Sequence, residues 1–153
     1  MIRLLGVLAL ALVVAGCPAD APEPVDGGVL AAEPGDFPDR APGGGMLHIV
    51  RLVHAGDRYA FLPDTVVAAA GDGIRFVHTA YQPESIAFDP AGLESEARAA
   101  LAGQDALSGR LLMAPGATFD VDLAGLEPGS YRFVSRPHAH AGAVGVVRIL
   151  PAD

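Results

Sequence analysis

The stretch that decides the fold lies near the C-terminus and reads Phe133-Val-Ser-Arg-Pro-His-Ala-His-Ala-Gly-Ala-Val-Gly145. An apolar run, residues 131–134, leads into this stretch, and a second apolar run, residues 143–150, leads out of it. Short apolar runs bounded by Gly and Pro are typical of buried strands. The pattern therefore predicts two strands that are joined by a loop containing two histidines.

This loop resembles the ligand loop of the plastocyanin-like blue copper proteins, the cupredoxins. In that family one loop between the last two strands carries Cys-x2-His-x4-Met, and a second histidine ligand comes from earlier in the chain. The same spacing here is Ser135-x2-His138-x4-Ala143. The resemblance therefore implies a copper-protein scaffold in which His138 is kept and two of the three loop ligands are replaced.

The resemblance continues upstream of the loop. Where the family has Pro-His-Asn before a strand, this chain has Pro83-Glu84-Ser85, so Glu84 stands at the position of the first histidine ligand. An aromatic-x-Pro, a β-branched strand and a Gly-Asp turn precede it in the family's order. The resemblance covers about residues 61–150, and this collinearity supports it more strongly than any single motif.

The fold class follows from the pattern of short elements. Several short strands alternate with Gly or Pro turns, and one segment, residues 94–102, has the composition of a helix with acidic residues in its first turn. This arrangement predicts an all-β protein, an antiparallel Greek-key β-sandwich with one short helix. The resemblance implies that the sandwich is cupredoxin-like.

The N-terminal region has the features of a lipoprotein precursor. Residues 1–16 contain one Arg and a short apolar run, the pattern of a signal peptide, and Val14-Ala15-Gly16-Cys17 matches the bacterial lipoprotein box. The match implies that Cys17 is acylated and becomes the mature N-terminus. Residues 17–45 then read as a disordered Pro/Gly/acidic tether, and residues 46–153 as the cupredoxin-like domain. Since Pro18 follows the cysteine, we expect the periplasmic face of the outer membrane.

Net charge and cysteine content limit the functions that this chain can have. The formal net charge is −8, which argues against nucleic-acid binding because such a chain repels phosphate. The sequence contains 1 cysteine, Cys17, and the lipoprotein box implies that this cysteine carries the lipid. A blue copper site needs a cysteine thiolate beside two histidines, so the domain is not expected to form one.

Carried over from the family, Glu84, Ser135, His138 and Ala143 are expected to converge beneath the loop. We expect a hydrogen-bonded plug, in which the His138 ring and the Ser135 hydroxyl satisfy the Glu84 carboxylate. The alternative is a non-blue Cu(II) or Zn(II) site for storage or delivery, with Glu84, His138 and the extra His140 as ligands. The family's copper-dependent electron transfer is disfavoured by the missing thiolate. A Ser135-His138-Glu84 catalytic triad is disfavoured because nothing indicates an oxyanion hole or a cleft.

The sequence thus predicts a lipid-anchored binding or interaction module that is not an enzyme. No resident cofactor is expected, and copper is kept only as the alternative. The loop tip, Pro137 to Gly142, is the first candidate for contact with a protein partner, because it is the docking surface in electron-carrying relatives. Two other histidines, His48 and His54, are expected at the surface or rim.

Overall fold

The computed structural model describes Arg40, Ala41 and residues 43–56 and 58–151, and these residues form two packed sheets. The signal peptide, Cys17 and the tether up to residue 39 lie outside the described residues. The strands, in chain order, are β1 (Leu47–Ala55), β2 (Arg58–Leu62), β3 (Thr65–Ala68), β4 (Gly73–His78), β5 (Glu84–Phe88), β6 (Arg110–Leu112), β7 (Thr118–Asp122), β8 (Gly129–Ser135) and β9 (Val144–Ile149). A single helix, α1 (Ser95–Ala102), and a 3₁₀ turn (Ala139–Ala141) complete the elements of this part of the chain.

The predicted all-β sandwich with one short helix is confirmed. One sheet has four strands in the order β2-β1-β4-β7, and the other has five in the order β3-β9-β8-β5-β6. The helix begins at Ser95, directly after Glu94, and ends at Ala102. Within the described residues, no helix combines the length and the apolar content that a membrane span requires.

Two strand pairs differ from the predicted antiparallel arrangement. Strand β1 pairs in parallel with β4, and β3 pairs in parallel with β9. The chain leaves the first sheet after β2, adds β3 to the second sheet, and only then returns as β4. Because β2 and β3 together form a crossover between the sheets, β4 comes back alongside β1 in the same direction.

A cluster of phenylalanines fills the space between the sheets. The Phe133 ring centroid lies 4.8 Å from that of Phe61, 4.9 Å from that of Phe76 and 5.9 Å from that of Phe88. Gly145 faces the same ring, and a Cβ at this position would come within 2.3 Å of the Phe133 side chain. The glycine therefore allows β9 to pack closely over the aromatic core, directly below the loop that it leaves.

Strand directions gather the candidate residues at one end of the sandwich. Strands β1, β4 and β8 finish at this end, whereas β2, β5 and β9 start there. The end is formed by residues 54–56, 58–59, 78–84, 113–118 and 135–144, and we call it the site end. Because β1 starts and β9 finishes at the opposite end, both described termini leave the domain far from it.

Asp72 ties several segments together at the opposite end. Its carboxylate is buried, accepts hydrogen bonds from the backbone amides of Met46 and Ala69, and lies 2.9 Å from Nε2 of His48. Burial by itself raises the pKa of Asp72, but the bonds from His48, Ala69 and Met46 outweigh burial and hold the pKa below its usual value. His48, expected at the surface or rim, is therefore the partly buried partner of this carboxylate.

We expect Asp72→Asn to lower the free energy of unfolding at pH 7 by about 1–3 kcal/mol, because charge-assisted hydrogen bonds to backbone amides are lost. A depressed folded-state pKa stabilises the protein above the unfolded-state pKa, and this contribution disappears as the pH falls through the folded value. Urea unfolding at several pH values should show the difference from wild type shrinking below about pH 4. Glu127→Gln, at an exposed position, is the control. A deficit that persisted undiminished in acid would contradict this role of the carboxylate.

Candidate functional site

The centre of the site is the carboxylate of Glu84, which is fully buried at the first residue of β5. The Ser135 hydroxyl donates a hydrogen bond of 2.6 Å to Oε2. Nδ1 of His138 lies 2.7 Å from Oε1, at the distance of an ion pair but without the alignment of a hydrogen bond. The three polar side chains therefore face one another and occupy the space between them.

Local backbone bonds hold the loop in this position. The amide of Ser135 donates to the carbonyl of Ala143, and the amide of Ala143 donates to the carbonyl of His138, so the loop closes on itself. The amide of Arg136 donates to the carbonyl of Ser85, which joins the loop to β5. Gly142 has a φ of 90°, which a residue with a side chain rarely adopts, and it ends the 3₁₀ turn. The loop is thus fixed on both sides of His138.

The structure brings together all four positions that the spacing selected. Glu84, Ser135 and His138 are in side-chain contact, and Ala143 is fully buried next to them through its backbone bonds. His138 is the one member that reaches the surface, with 20% of its side chain exposed. The chain therefore presents one edge of this imidazole to solvent and covers the rest of the site.

His140 is not brought into this group. It lies exposed on the 3₁₀ turn, and no hydrogen bond or ion pair joins it to Glu84 or His138 among the residues that the structure describes. In the same part of the chain, no three His, Cys, Asp or Glu side chains are placed to hold a metal ion. The geometry thus offers no support for the ligand set Glu84, His138 and His140.

An aromatic stack that the sequence did not indicate supports His138. The Tyr59 ring lies 3.4 Å from the His138 ring, centroid to centroid, at an interplanar angle of 13°. On its other side Tyr59 stacks on His54, with centroids 4.4 Å apart. No sequence signal connects Tyr59, on β2, with the loop. The stack fixes the plane of the imidazole that faces Glu84.

We expect Tyr59→Ala to lower the free energy of unfolding by about 1–2 kcal/mol, since it removes ring stacking on two imidazoles. The matched control is Tyr81→Ala, because Tyr81 is 76% exposed and its loss should change stability by no more than about 0.5 kcal/mol. Denaturant unfolding of both variants measures the difference. Equal effects of the two substitutions would show that the stack contributes nothing.

His78, at the last residue of β4, is a second buried group at this end. It is fully buried, and neither ring nitrogen has a hydrogen-bond partner of normal geometry within the described residues. Burial lowers the pKa of His78, against the opposing effects of the Glu84 carboxylate and the Gln82 backbone. His78 alternates with Ile74 and Phe76 along β4, but nothing in this pattern marks it as part of the site. Burial therefore disfavours the charged form of this imidazole, which lies within electrostatic range of the Glu84 carboxylate.

Comparison with known proteins gives consistent results. Residues 48–150 match the model of the family described as "Copper binding proteins, plastocyanin/azurin family". Plastocyanin from Rumex obtusifolius is 38% identical over 94 residues, which covers 59% of this chain and 87% of that protein. Plastocyanin from Cucumis sativus is 35% identical over 106 residues, 65% of this chain and 99% of that protein.

Solved structures agree with the sequence matches. The oxidised form of plastocyanin from Dryopteris crassirhizoma superposes with a TM-score of 0.56 and 25% sequence identity, covering 67% of this chain and 99% of that one. The resemblance to plastocyanin-like cupredoxins is thereby confirmed.

Proposed function

Because the chain belongs to the plastocyanin/azurin family of copper-binding proteins, we propose that it is a cupredoxin whose type-1 copper site has been replaced by a polar side-chain network. We propose further that it acts as a lipid-anchored interaction module of the cell envelope. The observation that carries the proposal is the mutual contact of Glu84, Ser135 and His138 at the position of the metal site.

The donor atoms do not fit a blue copper ion. A type-1 site uses two imidazoles and a thiolate in a trigonal set, with a weak axial ligand. Here one imidazole, His138, stands with a carboxylate and a hydroxyl, and Ala143 offers no side-chain donor. The Ser135 hydroxyl and the His138 ring are each directed at Glu84. This arrangement supports a site in which a hydroxyl and an imidazole, and no metal, face the carboxylate, although Oε1 of Glu84 and both ring nitrogens of His78 have no hydrogen-bond partner of normal geometry within the described residues.

The alternative of a non-blue Cu(II) or Zn(II) site has less support. Its third ligand, His140, lies exposed on the 3₁₀ turn, and none of the described residues form a three-ligand group. Electron transfer as in copper-bearing relatives would in turn need the thiolate that this domain lacks. We therefore propose the metal-free network and retain the non-blue Cu(II) or Zn(II) site as the alternative hypothesis.

The same geometry argues against catalysis. A nucleophilic serine gives its proton to an imidazole, whereas Ser135 donates to Glu84 and lies 3.5 Å from Nδ1 of His138. Ser135 and Glu84 are both fully buried, so a substrate has no access to the hydroxyl. The three residue types of a catalytic triad are thus present. The direction of the Ser135 hydrogen bond and the burial of Ser135 and Glu84 are those of a structural network.

Two further parts of the proposal rest on sequence and topology. The lipoprotein box at Cys17 supports anchoring at the periplasmic face of the outer membrane. The loop tip, Pro137 to Gly142, lies at the site end, away from the described N-terminus, and supports contact with a protein partner. We propose that this loop is the contact surface of the anchored protein.

Membrane fractionation combined with photo-crosslinking tests the proposal in the source cells. The full chain should separate with the outer membrane, and Cys17→Ser should move it to the soluble periplasmic fraction. A photo-crosslinking residue at His140 should yield a protein adduct that the same residue at Ser130, exposed near the opposite end, does not. Identical fractionation of the two chains would disprove the anchor. Absence of an adduct at His140 would disprove the contact surface.

A further inference from the structure

Within the described residues, the four strands at the sheet edges differ in how those edges are protected. Strands β2 and β7 flank the first sheet, and β3 and β6 flank the second. An edge strand has backbone groups without a strand partner on one side, and charged side chains there commonly prevent pairing with another chain. The edges with a charged residue are β2 with Arg58, β6 with Arg110, and β7 with Asp120 and Asp122. Strand β3, Thr65-Val66-Val67-Ala68, carries no charge.

The edge of β7 is also capped by a side chain. The Gln104 carboxamide accepts a hydrogen bond of 2.7 Å from the amide of Asp122 and donates one of 3.0 Å to the carbonyl of the same residue. Gln104 thus takes the place that a neighbouring strand would occupy. Among the side-chain hydrogen bonds of the described residues, the corresponding bond at β3 reaches Ala69, directly after the strand, and not the strand itself.

The backbone of β3 is paired on one side only. The carbonyls of Asp64 and Ala68 accept hydrogen bonds from amides in and directly after β9. Because the peptide groups of a strand point alternately to its two sides, the N–H and C=O groups of Thr65 and Val67 face away from β9. Both residues are exposed, and Val67 is 54% exposed. This edge is therefore accessible to another strand.

The open part of the edge is bounded at both ends. Two residues after Val67, the amide of Ala69 donates a hydrogen bond of 2.9 Å to the Asp72 carboxylate. Two residues before Thr65 is Pro63, which has no N–H group to donate. Thr65 and Val67 are therefore the two residues of this edge that offer both a donor and an acceptor.

We propose that β3 pairs with β3 of a second copy of this chain, in an antiparallel register centred on Val66. In this register Thr65 of each copy lies opposite Val67 of the other, and each of these pairs exchanges both of its hydrogen bonds. Cross-strand pairs of β-branched side chains stabilise a sheet surface. The same patch is used on both copies, so a two-fold axis closes the contact into a dimer.

The proposed lipid anchor favours this pairing. One short strand from each copy makes a small contact, but chains that are held on one membrane meet at a high effective concentration. Antiparallel pairing points the two Arg40 positions in opposite directions. Residues 18–39 can span up to about 70 Å when extended, so the anchors of both copies can reach one bilayer. The inference adds a partner to the proposed function, and it does not depend on whether the site holds a metal.

Spin labels at position 130 measure the paired arrangement. Ser130, Arg148 and Val67 lie side by side on β8, β9 and β3. Pairing therefore places the two labelled positions about five strand spacings apart, and with a spacing of about 4.8 Å we expect a spin–spin distance of about 20–35 Å. The sample is the lipid-anchored chain carrying Ser130→Cys, in vesicles of phosphatidylethanolamine and phosphatidylglycerol. Pulsed electron paramagnetic resonance measures the distance.

Charge substitutions on the edge test the register. Thr65→Lys/Val67→Lys places lysine opposite lysine in both pairs and should abolish the distance, because like charges directly opposite each other destabilise a sheet. Thr65→Glu/Val67→Lys places glutamate opposite lysine and should restore the distance. The control, Leu111→Lys, adds a charge at a 60% exposed position of the edge strand β6 and should leave the distance unchanged. Urea unfolding of each variant shows that it is folded.

Three results would contradict the inference. A wild-type edge without a distance in this range would show that β3 stays unpaired. A distance that survived Thr65→Lys/Val67→Lys would place the contact elsewhere. Loss of the distance without recovery in Thr65→Glu/Val67→Lys would disprove the antiparallel register.

The lipid anchor is scored separately in the same sample. A second spin label, on Cys17, would contradict acylation and with it the anchoring part of the proposed function. Cys17→Ser then gives a chain labelled at position 130 alone, and the same distance is expected from it at high protein concentration.

Discussion

The double variant Glu84→His/Ser135→Cys is expected to bind Cu(II) and to turn intensely blue, whereas the unmodified protein stays colourless. The two substitutions place an imidazole and a thiolate at positions that already face His138, which completes the trigonal set of two histidines and a cysteine. The axial ligand of such a site is weak, so Ala143 need not be changed. The closed loop and the phenylalanine cluster supply the rigid frame.

The experiment requires the Cys17→Ser background, so that the introduced cysteine is the single thiol of the chain. The matched control is Glu84→His/Ser135→Ala, which has the same two imidazoles without the thiolate and should show no intense visible band. Metal content and the visible spectrum are measured after removal of unbound copper. A folded double variant that bound copper without the intense colour would show that these positions do not converge as they do in blue copper proteins.

The second large effect is expected from His138→Ala. The substitution leaves the Glu84 carboxylate fully buried without its basic neighbour, and breaking a buried pair in this way costs about 3–5 kcal/mol. Adding Glu84→Gln to the same chain replaces the buried carboxyl group by an amide that needs no basic neighbour, and it should recover a large part of that loss. Urea unfolding of the two single variants and the double variant gives the coupling energy directly.

His140→Ala is the control for this cycle, because it removes an exposed imidazole two residues away and should change stability by no more than about 0.5 kcal/mol. If His138→Ala were no more destabilising than His140→Ala, the contact with Glu84 would have no energetic role. Strictly additive effects of His138→Ala and Glu84→Gln would lead to the same conclusion.

The order of elements was predictable because local signals and spacing agree along the chain. Gly and Pro turns bound the strands, and the motifs around Pro83 and His138 occur in the family's order. The parallel pairing of β1 with β4 was not predictable from these signals. The alternation of apolar and polar residues in a strand shows which face is buried, but it does not show which strand lies beside it. Here the crossover through β2 and β3 places β4 next to β1.

In the candidate site, too, some features were predictable from the sequence and others were not. The positions Glu84, Ser135 and His138 were selected by the spacing of the family's motif, because strands β5 and β8 and the loop that follows β8 bring these positions together. Tyr59 was not selected, because its stack on His138 joins segments that are remote in sequence. The exposure of His140 depends on the 3₁₀ turn, whose conformation the Ala-rich sequence of the loop does not determine.

The central claim, that a side-chain network stands in place of copper, is tested most directly by metal retention. Full-length protein carrying Cys17→Ser is dialysed against Cu(II) and, separately, Zn(II), desalted, and analysed for bound metal. We predict no stoichiometric metal in either case, because Ser135 and His138 already face Glu84. Retention of one equivalent that is lost on His138→Ala would contradict the account.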